Sequence, residues 1–289
     1  MRTQMMIENR LRLPLGSVQW LFKRFSWIVL LSCLLSAEVL GQEASRQSDP
    51  LWKELLSRLS SGDEEQRLDA IARIGALWQD APVSTDTSII AALSNSLQQD
   101  SSPVVRALSA RVLAIRGGNQ SDSDIVLALT TALGKEREGA VRKAIIYALA
   151  RYSQPQARSA LIPFLKDRNS ELRAAAAYAL AENGDAAVAQ ALAEVLRRRG
   201  KDEDAFARSQ AARGLGRIGG RDSIDPLLEA LTRDKSQEVR REAAQALGRI
   251  AERQDAKVIE ALRDATQSND PYLVIAADGA IASINSRDL

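Results

Sequence analysis

The sequence predicts an all-α protein, an α-α superhelix built as a solenoid of about seven helical-hairpin repeats. Three observations carry that prediction. Aligning the chain on Arg67, Arg106, Arg142, Arg173, Arg208, Arg240 and Val274 gives steps of 39, 36, 31, 35, 32 and 34 residues. Seven positions after each anchor stands an aliphatic residue: Ile74, Leu113, Leu149, Leu180, Leu215, Leu247 and Ile281. Within each period the apolar residues recur at helical spacing in two runs separated by a polar turn. A self-similar period of this length means stacked supersecondary units, none of which can bury its apolar face without a neighbour.

The clearest repeat runs through Asp234–Ile250, DKSQEVRREAAQALGRI, in which an acid precedes the anchor by six positions and Ala243, Ala244, Leu247 and Ile250 follow it. The first repeat is expected from Pro50 to Gln79, with Leu51, Trp52, Leu55, Leu56 and Leu59 on its first helix and Leu68 to Leu77 on its second. Repeats two, three and four span 87–118, 121–153 and 154–184, and Pro163 falls inside the first helix of the fourth. Repeat five, 185–220, carries a charged inter-helix turn from Arg197 to Phe206. Repeat six opens with a helix over Ser223–Leu231, with Pro226 in its opening turn. Repeat seven, 256–286, has Ser268 and Val274 where the others have the acid and the arginine, and the first repeat has Ser61 in place of the acid. Loss of the polar signature at both ends is the behaviour of terminal repeats.

A turn acid, Val-Arg opening the second helix and an AAxALGxI run resemble the HEAT-repeat family, in particular its phycobilisome-lyase-type HEAT-like subgroup. The resemblance covers about 50–286 and is best in repeats four to six. It implies a ladder of turn acids and helix arginines between neighbouring repeats, made by Asp100, Glu136, Asp167, Asp202 and Asp234 with Arg106, Arg142, Arg173, Arg208 and Arg240. These would be scaffold residues.

Ahead of the repeats, Lys23 and Arg24 precede an apolar run from Phe25 to Ala37, and Val39 and Gly41 give a small-x-small pattern. Residues 1–41 read as a secretory signal peptide cleaved after Gly41, or alternatively as an uncleaved membrane anchor, and 42–49 as a linker. An exported, periplasmic or secreted, protein is expected, in contact with a membrane only if that segment is retained. The formal charge of +2 falls to about −1 once residues 1–41 are set aside. A nearly neutral body gives no reason to expect nucleic acid.

Catalytic chemistry is not favoured. The chain has no histidine, and its single cysteine, Cys33, lies in the N-terminal apolar run. Histidine-dependent triads, His-Glu iron pairs of the kind found in HEAT-like hydroxylases, and histidine zinc sites are therefore excluded. The acids Asp63, Glu64, Glu65 and Asp202, Glu203, Asp204 are better explained by the positive end of the following helix than by a cation. Gly214–Gly219, GLGRIG, matches a dinucleotide-binding pattern, but here the glycines end a helix instead of opening one. Asn119-Gln120-Ser121 is a glycosylation acceptor pattern. No catalytic residue, cofactor or metal ligand is expected.

Function should lie in what the repeats do not share. Counting from each anchor, offsets +3, +4, +7 and +10 should form the core, while +2, +5 and +9 point away from it. Offset +5 reads Ala72, Arg111, Tyr147, Tyr178, Arg213, Gln245, Gly279, and offset +9 includes Arg151, Glu182, Arg217 and Arg249. Glu242 joins them in repeat six. The expected partner-binding set is Arg111, Tyr147, Arg151, Tyr178, Glu182, Arg213, Arg217, Gln245 and Arg249 on the concave face, suited to an acidic or extended protein segment. A monomeric scaffold is the expected function. An enzyme subunit of the phycobilisome-lyase-like class is the alternative, and nucleic-acid binding ranks below both.

Overall fold

The computed structural model describes residues 50–80, 87–117, 122–198 and 205–287. The expected signal segment, the linker, the 81–86 loop, Asn119–Ser121 and the acids Asp202–Asp204 lie outside them. Contacts divide the chain into two units. One comprises 1–54 and 84–86, of which only the first turn of helix α1 (Pro50–Ser61) is described. The other, 55–83 and 87–289, holds every remaining element.

Fourteen α-helices and no strand occur among the described residues. After α1 come α2 (Glu64–Asp80), α3 (Thr87–Gln99), α4 (Pro103–Ile115), α5 (Ser123–Lys135), α6 (Gly139–Leu149), α7 (Pro155–Leu161), α8 (Ser170–Asn183), α9 (Ala186–Arg197), α10 (Ala205–Ile218), α11 (Ile224–Arg233), α12 (Gln237–Ile250), α13 (Ala256–Ala265) and α14 (Pro271–Ser286). From α3/α4 to α13/α14 they pair as six hairpins in sequence order, and α1 is joined to α2 by the Arg58–Asp69 hydrogen bond at 3.2 Å. Pro163 does not sit within an α-helix. It lies in a 3-10 segment, Ile162–Lys166, that completes the first half of repeat four, because its ring removes the donor an α-turn would need. The opening helix of repeat six also shifts: Arg221–Ser223 is 3-10 and the α-helix runs Ile224–Arg233.

The turns are set by short side chains that take up orphan amides. Ser102, Asn169, Ser236 and Asp270 accept hydrogen bonds from the backbone N–H groups of Val105, Glu171, Val239 and Tyr272, each at the start of a second helix. Behind these caps the predicted core forms. Ile74, Leu113, Leu149, Leu180, Leu215 and Leu247 are fully buried, as are the +3 and +4 residues of the first six repeats. Two expectations fail. Offset +10 is a boundary position: Tyr152 and Ile284 are buried, whereas Leu77, Arg116, Asn183, Ile218 and Ile250 are half-buried. In the seventh repeat Ile281 is half-buried and the +4 residue, Asp278, is exposed. The seventh is the last repeat described, and no described element packs over its +4 position.

The second helices α4, α6, α8, α10, α12 and α14 pack on one another more extensively than the first helices do. Small residues at offsets +6 and +8 make this possible. A Cβ on Gly216 would lie 2.6 Å from Ala246 Cβ, and one on Gly248 would lie 2.6 Å from Ala280 Cα. Gly214 meets Ala181 in the same way, at 2.9 Å. These are the glycines of the dinucleotide-like pattern and its repeat equivalent. They serve helix–helix approach inside a helix, and the following Gly219 and Gly220 end it with φ of 79° and 90°, values that glycine adopts without strain.

Candidate binding face

The ladder fixes how one repeat is registered on the next. The arginines of four repeats, Arg67, Arg106, Arg142 and Arg208, reach forward to the turn acid of the successor, and the Arg67–Asp100 rung adds a repeat to the expected set. Asp202, the acid that follows Arg173, lies outside the described residues. Arg67 Nε and Nη2 donate to Asp100 at 2.7 and 3.0 Å, and Arg106 to Glu136 at 2.8 and 3.1 Å. Arg142 donates to Asp167 at 3.1 Å, and Arg208 to Asp234 at 2.7 and 3.0 Å. A further guanidinium nitrogen of Arg67, Arg106 and Arg173 binds carbonyls of its own turn. The acids also cap: Asp100, Asp167 and Asp234 accept from the N–H two residues on. The Arg106 guanidinium and two backbone N–H groups hold the Glu136 carboxyl below the usual range, although burial pushes the other way.

The last rung departs from the expected residues. Arg241, one position past the anchor, donates to both oxygens of Asp270 at 2.8 Å, while Arg240 makes no ion pair with a described residue. Asp270 is four residues before Val274, not six, so it lay outside the offset that defined the series. Pairing with Arg241 pulls the Asp270 carboxyl below its ordinary range. All these groups are committed to the scaffold, as the resemblance implied.

The opposite edge of the second helices carries the predicted columns. Arg111, Tyr147, Arg151, Arg217, Gln245 and Arg249 are exposed, and Tyr178, Glu182 and Arg213 are half-buried. Neighbouring repeats bring two groups of them together, and a third lies on one helix. Tyr147 and Tyr178 meet edge to face, with ring centroids 5.7 Å apart and planes at 71°. Tyr147 is still 42% exposed. Glu182 on α8 bridges two arginines of α10, Arg217 at 2.7 Å and Arg213 at 3.3 Å. Gln245 and Arg249 line a cleft of about 500 Å³ between α12 and α14. Arg111, Arg151 and Arg249 have no ion-pair partner among the described residues. Beside this strip, burial raises the Glu242 carboxyl above the usual range, opposed by the charges of Arg213 and Arg249. The face therefore holds five arginines against Glu182 and a carboxylate whose ionisation is disfavoured.

Two participants were missed from the sequence, Tyr272 and Ile275, which line the α12/α14 cleft and are 66% and 68% exposed. They stand three apart on α14, on the side away from the buried Leu273 and Ala277. Arg241 lies 4.8 Å from the Tyr272 ring centroid and so fixes the ring while bound to Asp270. Elsewhere, Asp63 accepts from the N–H of Gln66 at the start of α2, as a helix-start acid does, while Glu64 accepts from the hydroxyl of Ser102 in the next repeat. Among the described residues no group of three or more His, Cys, Asp or Glu is placed to hold a metal ion.

HEAT repeats are matched over residues 126–204 and 199–282. The chain belongs to the HEAT-repeat family. No curated protein matches it significantly. Among solved structures, the CpcE–CpcF complex of phycocyanin lyase from Nostoc sp. PCC7120 is similar, at 25% identity and a TM-score of 0.51. That match covers 68% of this chain and 76% of the other. Escherichia coli YibA, 17% identical with a TM-score of 0.51, shares the fold over 86% of this chain and 96% of its own. No described helix is long and apolar enough to cross a membrane.

Proposed function

We propose that the protein is a non-catalytic HEAT-repeat scaffold that holds an extended, acidic segment of a partner protein along the exposed edge of its second helices. The observation that carries this reading is the series of arginines along this edge, in the same columns as an edge-packed pair formed by the exposed Tyr147 and the half-buried Tyr178. Arg111, Arg151 and Arg249 have no carboxylate partner among the described residues, and Arg213 and Arg217 share one glutamate. Arg67, Arg106, Arg142, Arg208 and Arg241 are instead committed to the ladder. The second helices pack on one another more closely than the first helices do, which supports their exposed edge as the side that meets one bound strand across several repeats. Aromatic and arginine side chains are the types that most often dominate binding energy at protein interfaces.

A second reading, as a subunit of a lyase-like enzyme, is favoured by the likeness to a phycocyanin lyase complex. That likeness supports a protein partner under either reading. Export is part of the proposal and is supported by the Lys23–Gly41 pattern. Sequencing the mature N-terminus from the native compartment tests it, since a start at Met1 would refute cleavage.

The binding reading is tested with the triple variant Arg111→Glu, Arg151→Glu, Arg249→Glu. None of the three makes an ion pair with a described residue, so stability should move by no more than about 0.5 kcal/mol. Binding of fluorescein-labelled glutamate-rich peptides should be lost in the variant and weakened by salt in the native protein. Equal binding by both proteins, or binding indifferent to salt, would remove the electrostatic groove. Stoichiometric absorbance from a retained chromophore would favour the enzyme-subunit reading instead.

A further inference from the structure

Two helical glycines have no structural reason to be glycines: Gly134, next to the last residue of α5, and Gly279, in α14, and the second of them lines a cleft. Gly214, Gly216 and Gly248 lack a Cβ because a neighbouring helix occupies its place. Gly279, in the middle of α14, would meet nothing within 4 Å if it carried one. Its φ is not in the left-handed region, so backbone conformation does not require it either. A glycine inside a helix disfavours that helix relative to alanine, and helix packing supplies no return here. Gly279 lines the α12/α14 cleft together with the buried Gly248, Ala276 and Ala280 and the exposed Tyr272, Ile275, Gln245 and Arg249. What the glycine keeps open is the space above α14.

We propose that this cleft is an anchor subsite that receives one large apolar side chain from the extended acidic segment bound along the groove, with Arg249 meeting a neighbouring carboxylate of that segment. The proposal rests on the groove reading above and adds the chemistry of one position in it. Three features commit the occupant. The cleft is lined by Tyr272, Ile275 and the small residues Ala276, Gly279 and Ala280, which suits an aliphatic or aromatic group. Arg241 holds the Tyr272 ring in place before any ligand arrives. Arg249 is exposed in the cleft lining without an ion pair to a described residue, so an acidic residue beside the apolar one is complementary and a basic one is not.

The test is a display selection of random dodecapeptides against the full-length protein, followed by affinities for the enriched peptides. Native protein should enrich peptides that combine acidic residues with one apolar residue at a fixed position. Gly279→Leu fills the cleft with a side chain that favours the helix, so its melting temperature should hold or rise while affinity falls about tenfold or more. Replacing the peptide's apolar residue with serine should weaken binding to the native protein by a similar factor and change nothing in Gly279→Leu. Arg111→Glu/Arg151→Glu, remote from the cleft, separates the two readings. If that variant loses binding while Gly279→Leu binds like the native protein, the groove stands and the anchor is wrong. Absence of any acidic enrichment overturns both. Self-association removed by Gly279→Leu would make a second copy of the chain the occupant and overturn the proposal.

Discussion

Removing the Asp234 carboxylate should be the most damaging single change to the ladder. Asp234 and Arg208 side chains are only 2% and 3% exposed, and the guanidinium binds both carboxylate oxygens at 2.7 and 3.0 Å. Asp234 also accepts from the Ser236 N–H at 2.8 Å, at the cap of α12. Asp234→Ala leaves a guanidinium sealed from water without its carboxylate, a loss of about 3–5 kcal/mol for a buried pair broken from one side. That is a large share of the roughly 5–15 kcal/mol of a typical folded chain. The Lys143–Glu171 pair is the control, because it has the same inter-repeat character at 2.7 Å but lies at 39% and 68% exposure. Glu171→Ala, at an exposed and solvent-screened pair, should have little effect. Urea unfolding followed by helical circular dichroism measures both. Because repeats couple only to neighbours, a broken rung between repeats five and six should also broaden the transition or split it. Arg208→Met/Asp234→Leu, which removes both charges, should recover most of the loss. A cost for Asp234→Ala no greater than that of Glu171→Ala would refute the claim that buried rungs hold the stack in register.

Two further outcomes follow from the same geometry. Glu242 has its carboxyl raised by burial, so the folded state resists ionisation more than the unfolded chain does. Its penalty is absent below the ordinary glutamate range and develops as pH rises through it, so Glu242→Gln should raise the melting temperature at pH 7 and have no effect near pH 3. An equal gain at both pH values would show that the ionised carboxylate is not what costs stability. Gly248→Ala forces a Cβ to 2.6 Å from the Ala280 backbone and should cost about 1–3 kcal/mol, whereas Gly279→Ala, in open space, should gain about 0.5–1 kcal/mol. Opposite signs in chemical denaturation distinguish a packing glycine from a permissive one, and matching signs would contradict the assignment.

The architecture was legible because each repeat must present the same side chains to its neighbours. The +3, +4 and +7 residues therefore carry an apolar signal, broken in the interior repeats only by Ser109, that the structure buries in each of them. Offsets +6 and +8 were less readable, since alanine and glycine there are small for a reason that only two adjacent helices reveal. Gly216 against Ala246 is a contact between chain positions thirty apart, with no local pattern to announce it. The Arg241–Asp270 rung escaped because both partners shifted off the repeat offsets while preserving the pairing. On the candidate face, the exposure of Tyr147, Arg151, Arg217 and Arg249 followed from helical phase alone. The Glu182 bridge to Arg213 and Arg217 did not, because it depends on the spacing of α8 and α10. Tyr272 and Ile275 were hidden in a helix so apolar that a periodicity argument sees no polar side to separate from a core side.

The central claim is that an acidic polypeptide lies along the exposed edge of the second helices. The most direct measurement is photocrosslinking of a glutamate-rich peptide bearing a benzophenone, with the labelled residues mapped by mass spectrometry. Labels on α6, α8, α10, α12 and α14 near Tyr147, Tyr178, Arg213, Arg249 and Ile275 are the predicted result. Labels confined to the first helices, around the exposed Leu127 of α5, would contradict it.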